Sequence, residues 1–229
     1  MSPEFYQQFF SDVFRSFYYF ALIFSVLAGV ICFRSCSKGF KAIAILLMVT
    51  FISEVAAKYL VFDGRFSNNI VYHIFTPIEF ILYAIIYNNF LGLTKWRKIL
   101  IGSALFIIIA EVVNSAFFQE LSLTNTNTII LESVLLIILS LRLFLKIGES
   151  AIFQNITMSG VFWFNSAVLI YYSFNILVWG FHNIKVYQLK NPPTIIYQLL
   201  LVLSGILYLT FAISIMLHIY NNKIKYANE

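Results

Sequence analysis

Apolar residues fall in seven runs along the chain, at about 13–33, 41–62, 69–92, 98–118, 126–146, 159–181 and 195–220. Each is close to the roughly 20 residues that an α-helix needs to cross a bilayer. A membrane barrel would show alternating segments of about 10 residues instead. The polar stretches between the runs are short, too short for a domain outside the membrane. The pattern therefore predicts an all-α, polytopic membrane protein, with residues 1–229 forming a single bundle of seven transmembrane helices.

The third run breaks its own rule. Tyr72 to Tyr87 reads YHIFTPIEFILYAIIY and carries a histidine, a proline and a glutamate among apolar residues. At 100° per residue, Tyr72, Thr76, Glu79, Tyr83 and Tyr87 fall within about 80° of one another. A carboxylate in mid-membrane costs roughly 2.5–3.5 kcal/mol even on a lenient scale. The stripe is thus expected to face other helices or a cavity. Pro77 removes one backbone hydrogen bond and is expected to bend this helix.

Other runs supply polar partners at similar depth. Glu54 and Lys58 lie in the second run, Glu111 and Asn114 in the fourth, Glu132 in the fifth, and Asn165, Tyr172 and Asn175 in the sixth. With His73, Thr76, Glu79 and Tyr83 they make a candidate ligand or ion chamber in the outer half of the bundle, because intramembrane ionisable groups mark pathways or ligand sites. The plainer alternative is packing. Glu54 and Lys58 stand four residues apart and can neutralise each other. Asn and Tyr hydroxyls or amides often bridge helices for about 0.6 kcal/mol. Four buried acids exceed the one lysine and one histidine beside them, so at least one is expected to be protonated at neutral pH. The first run carries Ala21, Ser25 and Gly29 at a spacing of four, a small-residue ridge for close helix packing.

Charge sets the orientation. Fifteen Lys and Arg stand against ten Asp and Glu in 229 residues. Arg34, Lys38, Lys41, Lys95, Arg97, Lys98, Arg142, Lys146, Lys223 and Lys225 fall on one side. Arg15, Arg65, Lys185 and Lys190 fall on the other. The positive-inside rule then puts the N-terminus outside and the C-terminus in the cytoplasm. The sequon at Asn155 would face the cytoplasm and stay unglycosylated. Cys32 and Cys36 would sit at the cytoplasmic edge, where thiols stay reduced. Tyr18, Tyr19, Trp96, Trp163 and Trp179 suit interfacial belts. Pro192 and Pro193 set the entry to the seventh helix. No signal-peptide pattern opens the chain. With 61% hydrophobic and 11% charged residues, the basic balance reads as topology, not nucleic-acid binding.

Several function classes fall away. A retinal protein needs a Schiff-base lysine, found on the seventh helix in the rhodopsin families, and Ile195–Tyr220 has none. No cofactor is therefore expected. Sugar transporters of the 3+1+3 type carry prolines that the first, second, fifth and sixth runs lack. Of the three histidines, His182 is placed in an outer loop and His218 near the inner face, so they cannot share a metal. His73 with Glu79 or Glu111 is the one conceivable metal pair. No nucleophile motif is evident, so an intramembrane metal-dependent hydrolase ranks last and the reading leans away from an enzyme.

HIFTPIEFILY (His73–Tyr83) and FWFNSAVLIYYSFN (Phe162–Asn175) resemble the two signatures of a group of uncharacterised seven-helix integral membrane proteins of Bacteroidota-type bacteria. The resemblance implies the bacterial inner membrane and no particular chemistry. The residues then favour a receptor-like or sensory module. Its outward chamber would bind a small ligand or ion and act through a membrane or cytoplasmic signalling partner. A proton-coupled carrier or channel is the alternative. The lipid bilayer is the certain partner on this reading, and an oligomer is compatible with it.

Overall fold

Each hydrophobic run folds as one helix in the computed structural model, which describes residues 3–63, 67–92, 94–149, 156–188 and 194–227. The helices are α1 (Pro3–Cys32), α2 (Lys38–Asp63), α3 (Asn69–Leu91), α4 (Thr94–Phe117), α5 (Thr126–Glu149), α6 (Gly160–Gln188) and α7 (Thr194–Ala227). Single 3-10 turns lie at Phe33–Ser35 and Ile156–Met158, and the described residues contain no strand. All seven helices hold a stretch long and apolar enough to cross a membrane, which is the make-up of a multi-pass membrane protein. Arg65, Asn155, Lys190, Pro192 and Pro193 lie outside the described residues.

Several helices overrun their apolar runs. α1 begins at Pro3 and α7 reaches Ala227. Hydropathy reports the apolar thickness, whereas helical hydrogen bonding continues through polar helix formers such as Gln7 and Gln8. α6 likewise continues to Gln188, so His182 belongs to a helix and not to an outer loop. α3 runs unbroken through Pro77.

The helices form a ring. Each packs on its neighbour in sequence, α7 closes onto α1, and α3 also reaches across to α5. The small-residue ridge of α1 makes the closure possible. Ala21, Ser25 and Gly29 are buried, Ser25 Oγ stands 2.7 Å from the Tyr208 carbonyl oxygen of α7, and a Cβ on Gly29 would meet the Ala44 Cβ of α2 at 3.1 Å. Between α6 and α7, Ser214 Oγ donates to the Gly160 carbonyl at 2.7 Å. Large apolar side chains such as Ile31, Ile109 and Phe117 are exposed on the outside of the ring. That is the inversion expected where lipid, not water, is the solvent.

Side-chain ties sort the turns into two ends. At one end Lys146 Nζ donates to the Phe90 and Leu91 carbonyls at 2.8 and 2.7 Å. It caps α3 where Gly92, at φ +64°, ends the helix. At the same end the Ser37 N–H donates to His218 Nε2 at 3.1 Å, and Asn221 Nδ2 donates to the Met158 carbonyl at 2.7 Å. Exposed Arg34, Lys38, Lys95, Arg97 and Lys98 make this the basic end. Cys36 is buried there; burial chiefly, and neighbouring Cys32 next, push its thiol up to about 11. At the opposite end Asn69 Nδ2 donates to the Ser122 carbonyl at 2.7 Å, tying α3 to the α4–α5 turn.

Candidate functional site

A cavity of about 540 Å³ lies inside the ring, lined by α1, α2, α3, α5, α6 and α7. Arg15, Asn68, Asn69 and Thr124 mark its mouth, at the end away from the basic turns. Its depth follows from helix geometry. Glu79 is ten residues into α3, about 15 Å at 1.5 Å per residue, and it lines the cavity with Thr50, Glu132, Tyr172, Ser204 and Tyr208. Glu54 stands nearer the mouth and accepts from Tyr72 Oη at 3.4 Å. Glu79 accepts from Tyr172 Oη at 3.2 Å.

Two lining residues keep unused polar atoms. Glu132 is 2% exposed, and its Oε1 has no hydrogen-bond partner among the described residues. Asn175 donates through Nδ2 to Ser133 Oγ at 3.2 Å, while its Oδ1 is also without a partner among them. A buried polar atom in this state costs roughly 1–3 kcal/mol. Both side chains therefore keep unspent hydrogen-bonding capacity beside the cavity.

Of the twelve candidate chamber residues, Glu54, Thr76, Glu79, Glu132, Tyr172 and Asn175 line the cavity. The other six are placed elsewhere. His73 and Glu111 form a buried pair, Nδ1 to Oε1 at 2.5 Å. Ser115 Oγ joins the pair, and Asn125 Nδ2 reaches both Glu111 Oε2 at 3.3 Å and Thr76 Oγ1 at 2.9 Å. His73 Nε2 meets the Leu123 carbonyl at 2.9 Å. A carbonyl only accepts, so Nε2 carries a hydrogen. Both ring nitrogens are thus engaged. Among the described residues no group of three or more His, Cys, Asp and Glu is placed to hold a metal.

Lys58 is exposed, with its ammonium 3.5 Å from the Tyr19 ring centroid. Its long stem lets the charge rest on an aromatic face of α1 while staying close enough to Glu54 to act on it. Asn114 ties the α4–α5 turn, donating to Gln119 Oε1 and accepting from Asn127 Nδ2, both at 3.0 Å. Asn165 sits deeper, receiving Tyr87 Oη at 3.1 Å and bonding Ser140 through its side chain. Tyr83 is packed against the rings of Tyr172 and Phe164.

Aromatic side chains that hydropathy alone does not orient form part of the cavity wall. Tyr18, Tyr19 and Trp179 suited an interfacial belt, yet all three line the cavity, and Tyr18 is buried against Tyr208 with centroids 5.7 Å apart. Tyr171, Ser204 and Tyr208 join them. The only available signal was their helical register with Tyr172 and the α1 ridge.

Fold and cavity together define a class: a seven-helix chain of membrane-spanning character built around a polar, one-ended chamber. Comparison with protein-family models, with curated proteins and with solved structures finds no match.

Proposed function

We propose that the chain is a receptor-like or sensory module of the bacterial inner membrane, with its N-terminus outside and its C-terminus in the cytoplasm. Its cavity takes a small ligand from the outer side and hands a helix shift to a partner protein. The topology follows from the basic turns gathered at the end opposite the mouth. The cavity volume suits a small molecule, since ligand pockets run about 300–1,000 Å³.

One observation carries the sensor over the carrier. Below Glu79 the ring is filled by Phe80, Tyr83, Tyr87, Phe164 and Phe211, all buried to 1% exposure or less. Phe164 alone packs tilted or edge-on against Tyr83, Tyr87, Phe90 and Phe211 at centroid distances of 5.0–6.3 Å. A carrier would have to part this block on every cycle. A sensor needs only to shift it, and packed cores pass small shifts as discrete rearrangements. The exposed basic end is then the surface for the partner.

The test is reconstitution of the full chain in liposomes with solute and proton flux followed across the bilayer. No flux is expected, while ligand at the mouth should change crosslinking at Lys38 and Lys95. Proton or solute flux that Glu79→Gln stops would replace the sensor with the proton-coupled carrier.

A further inference from the structure

We infer that the cavity is built for a small organic cation, an amine carried on an apolar or aromatic body. This deepens the proposed ligand-binding reading and rests on it. Three carboxyl groups, Glu54, Glu79 and Glu132, line the cavity against one guanidinium, Arg15, among the described residues. Arg15 is exposed and sits at the mouth, whereas Glu79 and Glu132 are deep. A cation that enters therefore gains most at the floor.

Glu132 and Asn175 line the cavity, and Glu132 Oε1 and Asn175 Oδ1, each buried without a hydrogen-bond partner among the described residues, are acceptors that a side-chain rotation would turn toward a ligand there. An ammonium group has three donors and no acceptor, which matches a floor offering acceptors. Each bond to a carboxylate would be charge-assisted, about twice as strong as a neutral one. Aromatic residues, whose ring faces can meet a ligand, make up much of the cavity lining, among them Tyr72, Tyr171, Tyr172, Trp179 and Tyr208. Such faces attract cations and cover apolar bodies at once.

The same facts weigh against a bare metal ion. Calcium takes 6–8 oxygens at 2.3–2.6 Å, and the three glutamates are not drawn together as a metal-holding group. They are spread along the cavity instead, Glu54 bonded to Tyr72 and Glu79 to Tyr172. A body that spans several ring faces between separated acids fits this spacing.

The experiment titrates the purified full chain in nanodiscs with phenethylamine, tryptamine, 2-phenylethanol, phenylacetate, potassium and calcium, read by calorimetry. At least one amine should bind saturably, and tenfold or more tighter than 2-phenylethanol and phenylacetate. Glu132→Gln and Glu79→Gln should each weaken the amine tenfold or more and leave 2-phenylethanol unchanged. Should Glu132→Gln not fold, Glu79→Gln and the probe series on the natural chain decide the matter. Equal binding of amine and alcohol, or preference for phenylacetate, would overturn the cation while leaving a small-ligand chamber. Saturable calcium or potassium binding without amine binding would replace the organic ligand by an ion. Binding of none of the six would remove the chamber reading itself.

Discussion

Along α3, residues on either side of Glu79 share one helical face but meet different neighbours. Toward the mouth, Tyr72 and Thr76 look into a cavity. Toward the basic end, Tyr83 and Tyr87 are buried among Phe164, Asn165 and Tyr172. The stripe is continuous in sequence and divided in space. What divides it is the opposite wall. α6 offers Phe164 and α7 offers Phe211 at the closed end, and their rings fill the ring of helices. Along the open half the facing helices offer Glu132, Asn175 and Ser204, which are smaller or polar. Whether a polar stripe becomes a chamber or packing is thus decided by what stands across from it.

The sharpest way to break this contrast is to truncate a ring on each side of Glu79. Phe164 is fully buried, so Phe164→Ala should cost about 3–5 kcal/mol, through lost contacts and the void left behind. Phe75, which lines the cavity and is half-buried, has little packing to lose, and Phe75→Ala should cost less than about 1 kcal/mol. Thermal unfolding of the two variants in nanodiscs reads the difference. Equal losses would mean that the mouth half is as tightly packed as the closed half.

A second test concerns the buried pair beside the cavity. Glu111→Ala leaves His73 Nδ1 with Ser115 Oγ in place of a carboxylate, while Asn125 Nδ2 keeps Thr76 Oγ1, and breaking a buried pair on one side costs about 3–5 kcal/mol. Adding His73→Phe to it removes the ring nitrogen that lost its main partner and should return part of that loss, a coupling of about 0.5–3 kcal/mol. Additive losses from the two changes would show that the pair does not act as a unit. The contrast sharpens with Glu79→Gln, whose single bond to Tyr172 should leave stability within about 1 kcal/mol.

Next in size is Gly160, where α6 starts. A Cβ there would collide with the Ser214 carbonyl and crowd the Phe40 ring. Gly160→Ala should cost about 1–3 kcal/mol by overpacking, since a backbone carbonyl cannot rotate away. Gly180, with open space around its Cβ position, is the control, and Gly180→Ala should be neutral or slightly stabilising because alanine favours a helix. Unfolding midpoints of the two variants check the prediction.

These contrasts also mark what could be read from the sequence. Apolar length alone carries the seven helices, because hydrocarbon thickness sets a fixed run length. The inward turn of Glu79, Glu132 and Asn175 was legible from the cost of a polar group in lipid. Burial by itself does not say whether the group meets space or another side chain. His73 and Glu111 illustrate this, since their depth matched the chamber while the turn after α4 brought the Leu123 carbonyl and Asn125 to enclose them. Tyr18 and Trp179 illustrate the reverse. Tyrosine and tryptophan near a membrane boundary suit the interface equally well, and only the closure of α7 onto α1 turns Tyr18 inward. Lys58 also meets the ring of Tyr19 on α1, a contact that four-residue spacing along α2 does not report.

The smallest effect probes polar contacts inside the closed half. Tyr87 Oη donates to Asn165 Oδ1 at 3.1 Å, while Ser140 Oγ stands 2.9 Å from the same oxygen and Asn165 Nδ2 donates back to the Ser140 carbonyl. Tyr87→Phe removes one donor, yet Asn165 keeps both of its contacts with α5. The change should therefore cost only about 0.6 kcal/mol, the usual worth of a cross-helix hydrogen bond in a membrane protein. A loss as large as that of Phe164→Ala would mean that Tyr87, Asn165 and Ser140 act as a cooperative polar network at the centre of the closed half. The division at Glu79 between polar chamber and packed rings would then have to move down the bundle by two helical turns.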